Sequence, residues 1–247
     1  MPVLNKLLNG LIDLVYPKTC LVCKNKLANT TSVDNLVCLG CWSRIKKNPP
    51  PFCLCCGRHL GPPDTVPDKN ICPGCIKSRP HFDRAFSPCL YEGALKELIH
   101  EFKYKGKDYL GRTLSRLMIE FIGEYDLPIG CVDAVIPVPL HKTKMREREF
   151  NQAEVLGRCI ASAFNKKLLE GALKRHRYTR AQVELTGQDS RLNNVKGSFS
   201  LSEKSDIIGK NILLIDDVLT TGATSSEAAC TLKSAGAGMV FVLTLAN

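Results

Sequence analysis

The most informative segment of this chain reads Asn211-Ile-Leu-Leu-Ile-Asp-Asp-Val-Leu-Thr-Thr-Gly-Ala-Thr224. Its apolar part, Ile212 to Ile215, predicts a buried strand that runs into two adjacent aspartates. A hydroxyl-rich loop with one glycine follows, and then a helix from about Ser225 to Ala235. The segment therefore predicts a strand–loop–helix unit of an α/β fold, with its polar groups gathered between the strand and the helix.

Each part of this unit suits a phosphorylated sugar. Ligands of open α/β sheets bind at the carboxyl ends of strands, where Asp216 and Asp217 can accept hydrogen bonds from neighbouring ribose hydroxyls. Backbone N–H groups and threonine hydroxyls at a helix N-terminus favour phosphate, and Gly222 lets the backbone approach the anion or take a positive φ. The alternative is an aspartate pair that merely caps a turn, with Thr224 as the helix N-cap. The chain contains neither a nucleotide P-loop motif nor a glycine motif for dinucleotides.

The same segment resembles the motif with which type I phosphoribosyltransferases bind 5-phosphoribosyl 1-diphosphate (PRPP). In that motif four apolar residues precede two acids, two further residues and Thr-Thr-Gly-x-Thr, and every position is matched. The resemblance implies that Asp216 and Asp217 are the catalytic acids, which hold the ribose hydroxyls directly or through Mg²⁺. It also implies a phosphate-binding loop made of Val218, Thr220, Thr221, Gly222, Ala223 and Thr224.

With 247 residues, of which 44% are hydrophobic, the chain suits one large domain or a domain with an appendage. No apolar run approaches the roughly 18 residues that span a bilayer. Helical spacing of apolar residues predicts an amphipathic helix over residues 1–16 that packs on the body, and binding to a membrane surface is the alternative. A basic region and a cleavage site are missing there, which argues against a signal peptide, so we expect a cytoplasmic location.

Eight of the 13 cysteines form four Cys-x-x-Cys pairs, with 14 residues between the first two pairs and 15 between the last two. Paired knuckles of this kind predict a double zinc ribbon over residues 17–80. The zinc ligands are Cys20, Cys23, Cys38 and Cys41 in one site, and Cys53, Cys56, Cys72 and Cys75 in the other. Cys55 could compete with its neighbour for the second metal. Iron–sulfur or redox use is an alternative, as are disulfides, which need an oxidising compartment.

A proline-rich segment of this size cannot bury enough surface alone, so zinc is expected to stabilise it. Residues 1–80 carry 11 lysines and arginines against four acids, which favours an acidic partner such as nucleic acid. Eight thiolates and two zinc ions reduce that excess, and binding then depends on local patches such as Lys24/Lys26 and Arg44/Lys46/Lys47. The remaining cysteines have mostly apolar neighbours and are expected to be buried, inert thiols: Cys55, Cys89, Cys131, Cys159 and Cys230.

Helices and strands alternate after residue 81. The pattern predicts amphipathic helices after Gly93 and from Tyr109 to about Tyr125, a buried strand over Val132–Ile136, and a helix from Phe150 to about Phe164. The polar stretch between Arg175 and Phe199 shows neither the apolar period of a helix nor that of a strand. It is interpreted as a long loop, and such loops are often lids. A basic loop between the strand and the third helix is either a solvated turn or, beside a sugar-phosphate site, a cradle for pyrophosphate.

Several motifs occur along the chain in order: the cysteine knuckles, Tyr91-Glu-Gly93, Phe102-Lys-Tyr104, Pro137-Val-Pro-Leu-His141, Arg148-x-Phe-Asn-Gln152, Thr179-x-x-Gln182, Arg191-x-x-Asn-Val-x-Gly-x-Phe199, and the Asp-Asp/Thr-Thr-Gly segment. Together they resemble the ComF (GntX-like) family, whose members are phosphoribosyltransferase-like proteins with an N-terminal double zinc ribbon. The resemblance implies a type I phosphoribosyltransferase fold over residues 81–247, a mainly parallel sheet with helices on both faces. Glu149 departs from the family pattern, which has glycine there.

The resemblance also assigns the pyrophosphate loop and a hood that closes over the site. Their residues are Pro139, His141, Lys142, Arg146 and Arg148 in the loop, and Arg177, Thr179 and Gln182 in the hood. The implied reaction transfers a 5-phosphoribosyl group, with Mg²⁺ and basic side chains stabilising the departing pyrophosphate.

ComF proteins are tied to DNA uptake during competence. The resemblance therefore implies single-stranded DNA, a competence helicase and a recombination mediator as partners. Two alternatives to an enzyme stay open: a non-catalytic accessory that binds DNA or a protein, and a PRPP-sensing regulator.

Overall fold

A computed structural model describes residues 18–27, 31–62, 70–104, 106–176, 197–203 and 206–247. The helix predicted over residues 1–16 and the hood residues Arg177, Thr179 and Gln182 lie outside these ranges. The elements, in chain order, are β1 (Ser32–Val33), β2 (Val37–Cys38), α1 (Leu39–Trp42), α2 (Pro73–Lys77), β3 (Arg84–Phe86), α3 (Gly93–Tyr104), α4 (Leu110–Glu124), β4 (Ala134–Pro137), α5 (Lys142–Arg148), α6 (Gln152–Ala163), β5 (Lys167–Leu168), β6 (Leu173–Arg175), β7 (Phe199–Leu201), β8 (Ile212–Val218), α7 (Ala223–Ser234) and β9 (Val240–Ala246).

A parallel sheet of five strands, in the order β3-β9-β8-β4-β5, forms the centre of the molecule. Strand β8 is apolar on both faces because both are covered. Leu213 and Ile215 belong to the core that includes α3, α4 and α6, whereas Ile212 and Leu214 belong to the core that includes α7. The predicted fold class, a mainly parallel sheet with helices on both faces, is confirmed.

Most predicted elements lie within two residues of their predicted bounds, and β8 differs most. It continues to Val218, so the two aspartates belong to the strand and do not follow it. The extension occurs because β9 is equally long and pairs with β8 as far as Val218 and Ala246. Helix α7 begins at Ala223, two residues earlier than predicted, because Gly222 forms its N-cap; Thr224 is not the cap.

The basic segment before α6 is a helix and not the loop that the sequence suggested. Helix α5 covers Lys142–Arg148, whose lysines, arginines, methionine and glutamate favour helices. The side chain of His141 caps its N-terminus by accepting a hydrogen bond from Thr143 N at 3.2 Å. Glu149 ends the helix with φ 68°, a left-handed conformation that glycine adopts more easily, which explains why glycine suits this position.

Both ends of the predicted long loop between Arg175 and Phe199 belong to strands. Strands β6 and β7 pair antiparallel, and Arg175 lies directly opposite Phe199. The guanidinium of Arg175 stacks over the Phe199 ring, 5.4 Å from the ring centre. The prediction of a loop was wrong at these ends because a three-residue strand is too short to show a period of two.

The cysteine-rich segment packs tightly on the sheet domain. Ala85 N of β3 donates to Cys55 O at 2.7 Å, and Asn48 N donates to Pro88 O at 2.8 Å, so the segment covers an edge of the sheet. Buried Cys20 and Cys41 belong to the same core as α3 and α4. In the part of the chain described here, no helix is long and apolar enough to cross a membrane.

Candidate functional site

The two central strands define a crevice at the carboxyl edge of the sheet. Strand β4 leads through α6 on one face to β5, whereas the adjacent strand β8 leads through α7 on the other face to β9. Because the two connections leave in opposite directions, the ends of β4 and β8 form the topological switch point at which such sheets bind ligands. The segments that follow the two strands, residues 138–141 and 219–222, border this crevice.

Asp217 lies at this edge in a buried ion-pair cluster. Lys103 Nζ, at the end of α3, lies 2.8 Å from Asp217 Oδ2, and Arg148 Nη1, at the end of α5, lies 3.9 Å from the same oxygen. The three side chains are between 9% and 15% exposed, so solvent screens their attraction weakly. Asp217 is therefore held between two cations from two different helices.

A hydrogen-bond network fixes the cations of this cluster. Gln152 is buried at the start of α6; its Oε1 accepts from Arg148 Nη1 at 3.0 Å, and its Nε2 donates to Phe102 O at 3.2 Å. The guanidinium of Arg148 lies 5.3 Å from the centre of the Tyr104 ring. Phe102 and Tyr104, the neighbours of Lys103, thus contact the network that holds Arg148.

Asp216 lies on the other face of β8, where burial disfavours the charged form of its carboxyl group. Burial, and then the charge of Asp217, raise its pKa to about 7. Asp217 N donates to Asp216 Oδ1 at 2.8 Å, which together with Lys103 and Arg175 opposes the rise. The two acids are neighbours in sequence, but alternate side chains of a strand point to opposite faces. Hence the pair presents two differently placed carboxylates.

Two further cations act on the acid pair. Burial and the neighbouring cations Arg148, Arg175 and Lys103 lower the pKa of Lys144. Burial lowers the pKa of Arg175, against the charge of Asp216. The described part of the site thus gathers four cations around two carboxylates, which favours an anionic ligand.

Helix α5 separates the predicted pyrophosphate residues into two groups. Arg148 reaches Asp217, and Lys144, four residues earlier on the same face of α5, is close enough for the charges of Arg148, Lys103 and Asp217 to act on its pKa. Lys142 and Arg146 lie on another face and are exposed, while Pro139 and the cap residue His141 are half-buried before the helix. The sequence candidates Lys142 and Arg146 are therefore not brought to Asp217, because the segment is helical.

The predicted phosphate loop is a tight turn at the N-terminus of α7. Val218 packs against the core as the last residue of β8, and Gly222 has φ 75°. Thr220 is exposed, Thr221 and Thr224 are half-buried, and Ala223 is buried. Ala223 N donates to Thr221 Oγ1 at 3.4 Å. The left-handed glycine directs the chain into α7, whose N-terminal N–H groups suit a phosphate.

A cleft of about 640 Å³ separates this loop from the second cysteine cluster. Its walls include the loop, the first turns of α7, and three basic residues of the cysteine-rich segment and its linker: Arg58, Arg79 and His81. Arg58 Nη2 donates to Thr220 O at 3.3 Å, and His81 N donates to Ser226 Oγ at 3.0 Å. The cysteine-rich segment therefore contacts the phosphate loop directly.

The eight knuckle cysteines form two groups, as predicted. The first contains Cys20, Cys23, Cys38 and Cys41, the second Cys53, Cys56, Cys72 and Cys75, and the sulfurs of each group lie within 4.8 Å of one another. All 13 cysteines are free of disulfides. The hydrogen bond between Cys53 and Cys56 chiefly, opposed by burial, lowers the pKa of Cys53 to about 4, and the same hydrogen bond raises the pKa of Cys56. Four thiolates at this separation fit tetrahedral zinc.

The other cysteines differ from the prediction in part. Cys55 is buried and hydrogen-bonds Cys75, but it is not among the four sulfurs of the second group that lie within 4.8 Å of one another. Cys89 is also buried, whereas Cys159 and Cys230 are half-buried and Cys131 is exposed. The prediction of a buried thiol was wrong for Cys131 because its short helical turn, Ile129–Cys131, lies at the surface before β4.

The basic patches considered for nucleic acid are largely paired with the body of the protein. Lys24 lies 3.1 Å from Glu101, and Lys46 lies 2.7 Å from Glu92. Arg44 Nη2 donates to Cys41 Sγ at 3.1 Å, so it supports the first zinc group. These contacts reduce the charge that the patches can offer to a partner.

Sequence reasoning assigned no role to Lys103, although the motif Phe102-Lys-Tyr104 contains it. Its partner Asp217 is more than 100 positions away, and no local pattern reveals such a pairing. Lys144 and Arg175 were noted only as members of basic segments. A periodicity test of the α5 segment could have placed Lys144 with Arg148.

The crossed connections, the acid pair and the glycine-capped loop together define a protein of the type I phosphoribosyltransferase fold class. Solved structures similar to this chain include the glutamine PRPP amidotransferase of B. subtilis complexed with ADP and GMP (21% identity, 56% of this chain and 26% of that one, TM-score 0.34). Another is the adenine phosphoribosyltransferase of Leishmania donovani (18% identity, 53% and 51%, TM-score 0.34). At these TM-scores the superposition is partial, and the fold class is defined by the strand order and the site.

The double zinc ribbon domain model matches residues 11–76. Competence protein F of Haemophilus influenzae is 30% identical over 231 residues, which are 92% of this chain and 96% of that protein. DNA utilization protein YhgH of Escherichia coli strain K12 is 27% identical (93% and 96%), and competence protein ComFC of Bacillus subtilis is 25% identical (94% and 95%). The chain belongs to the ComF family of competence proteins.

Proposed function

We propose that the protein binds PRPP or a related ribose 5-phosphate ligand at the switch point between β4 and β8. The observation that carries the proposal is the gathering of four cations and two carboxylates beside the glycine-capped N-terminus of α7. The loop suits the 5′-phosphate, and the carboxylates suit ribose hydroxyls. Lys144 and Arg148 suit a diphosphate because they face the acids from α5.

We further propose that the bound ligand reacts as in a phosphoribosyltransferase. The bond between C1′ and the diphosphate oxygen breaks, pyrophosphate leaves with the electron pair, and an acceptor forms a new bond to C1′. Lys144 and Arg148 would stabilise the negative charge on the departing pyrophosphate. Magnesium belongs to this proposal only as an ion that PRPP carries on its diphosphate. A reducing compartment such as the cytoplasm suits two metal sites that need eight free thiolates.

Isothermal calorimetry of the zinc-loaded full chain with PRPP tests the binding site. The variant Asp216→Asn/Asp217→Asn is expected to lose most of the heat of binding, while Asp206→Asn, which removes an acid 77% exposed elsewhere, is the matched control. Equal binding by wild type and the double variant would refute the assignment. Release of pyrophosphate over a panel of bases then tests turnover, and binding without release would favour the PRPP-sensing regulator.

A second candidate function is that of a DNA- or partner-binding accessory in DNA uptake. It is favoured by the names of the relatives and by the basic cleft between the second zinc group and the phosphate loop. Fluorescence anisotropy of labelled single-stranded DNA with the full chain, over a salt series, tests it. Arg58→Ala/Arg79→Ala should weaken binding and flatten the salt dependence, and Lys46→Ala is the control.

Failure to bind DNA at low salt would refute the DNA arm of this second candidate. The protein arm is tested separately, by co-purification with a competence helicase and a recombination mediator. Wild type should retain either protein, and Arg58→Ala/Arg79→Ala should retain less if the cleft is the contact surface.

A further inference from the structure

Asp217 already has a counter-ion within the chain. Lys103 Nζ lies 2.8 Å from its Oδ2, and the two side chains are 15% and 12% exposed. Burial lowers the pKa of Lys103, but the charge and the hydrogen bond of Asp217 outweigh burial and raise the pKa overall. The ammonium group is therefore charged at neutral pH and stays on the carboxylate.

The position of Lys103 is built into the fold. Phe102, one residue before it, accepts a hydrogen bond from Gln152 at the start of α6. Tyr104, one residue after it, lies under the guanidinium of Arg148. A surface lysine would be free to leave its partner, whereas this one is 15% exposed and follows a residue whose backbone is held by Gln152.

A divalent cation does not fit at Asp217 in these surroundings. Mg²⁺ binds carboxylate oxygens and water, and it would bring two more positive charges. The described part of the site already has four cations against two acids, and both cations that reach Asp217 contact Oδ2. The resemblance to type I phosphoribosyltransferases implies a metal ion at the acid pair, but the residues around Asp217 in this chain do not fit one.

We infer that Lys103 is the permanent counter-ion of Asp217 and takes the place of a divalent cation there, so that a ribose 5-phosphate ligand binds without metal. Lys103 is then a positioning residue, which holds the carboxylate ready for a ribose hydroxyl at Oδ1. The ligand part of this inference rests on the proposed function. The part that concerns metal at Asp217 rests on the ion-pair cluster alone.

Mn²⁺ binding followed by electron paramagnetic resonance tests the metal part on the zinc-loaded full chain. The expected result is that wild type and Asp217→Asn bind Mn²⁺ equally weakly. A Mn²⁺ ion that wild type binds and Asp217→Asn loses would overturn the inference. This comparison needs no ligand and no change at Lys103, so it decides the metal part even if the proposed function is wrong.

Calorimetry with ribose 5-phosphate, which has no diphosphate to carry a metal, tests the ligand part. Wild type is expected to bind equally with and without Mg²⁺. Lys103→Met should bind about tenfold more weakly without Mg²⁺, because a charge-assisted contact is lost, and should recover part of the loss when Mg²⁺ is added. Lys103→Arg, which keeps the charge, should bind more tightly than Lys103→Met when Mg²⁺ is absent. Lys107→Met, which removes a lysine 2.7 Å from Glu101, should behave as wild type.

Each outcome of this titration decides a different statement. If wild type binds ribose 5-phosphate only with Mg²⁺, the inference is overturned and the proposed function stands. The same holds if Lys103→Met binds without metal as strongly as wild type does. Absence of binding under both conditions counts against the proposed function, and the Mn²⁺ comparison then decides whether Asp217 is closed to metal.

Discussion

Replacing Asp217 by asparagine should destabilise the protein more than any other single charge removal in the site. The substitution keeps the shape of the side chain but leaves Lys103 and Arg148, 15% and 9% exposed, without their carboxylate. Removing one partner of a buried ion pair costs about 3–5 kcal/mol, because the remaining charge stays buried and unpaired. At about 2–4 °C per kcal/mol for a chain of this size, the melting temperature should fall by roughly 10 °C.

The assay is thermal unfolding followed by circular dichroism, with zinc kept in excess and Asp206→Asn as the exposed control. Lys103→Met should lower the melting temperature less than Asp217→Asn does, because Arg148 still pairs with the carboxylate and the site keeps one positive charge fewer. In the double variant the losses should be less than additive. The reasoning is refuted if Asp217→Asn melts within a degree or two of Asp206→Asn, or if Lys103→Met is the more harmful single change.

Three further outcomes follow from particular residues. Burial chiefly raises the pKa of Asp216 to about 7, so the folded state binds this proton more tightly than the unfolded chain does, and Asp216 lowers stability as pH rises from about 4 through 7. Asp216→Asn should therefore have a higher melting temperature than wild type at pH 8 and the same melting temperature near pH 4. A higher melting temperature of the variant at every pH would contradict this reasoning. Cys56→Ser should reduce the zinc content, measured by mass spectrometry, from two ions per chain to one, whereas Cys55→Ser should keep two; equal zinc in both variants would refute the ligand assignment. Gly222→Ala should lower the free energy of unfolding by about 1 kcal/mol, because alanine is strained at a φ of 75°. The added methyl group would meet no atom nearer than 3.7 Å, so no steric clash contributes. An unchanged midpoint of chemical denaturation would show that the loop does not need the left-handed glycine.

The sequence was sufficient wherever a local pattern determines the structure. Four apolar residues predicted β8, because a covered parallel strand must be apolar on both faces, although the strand continues through Asp216 and Asp217. The four Cys-x-x-Cys knuckles predicted both sulfur groups, since each turn places two sulfurs on one side of a metal.

Pairings across the chain were beyond such patterns. Nothing near Lys103 indicates that it meets Asp217, and the exposure of Lys142 and Arg146 follows only once α5 is known to be a helix. The strand that contains Arg175 is too short for periodicity, and its partner Phe199 lies 24 positions away. These contacts form when α3, α5 and β6 meet at the edge of the sheet, which is a property of the packed fold.

A crystal structure of the zinc-loaded protein with ribose 5-phosphate tests the central claim most directly. The phosphate should lie within hydrogen-bond distance of backbone N–H groups between Thr221 and Thr224, and a ribose hydroxyl should contact Asp216 or Asp217. A phosphate bound instead in the cleft beside Arg79 and His81, with the acid pair untouched, would contradict it.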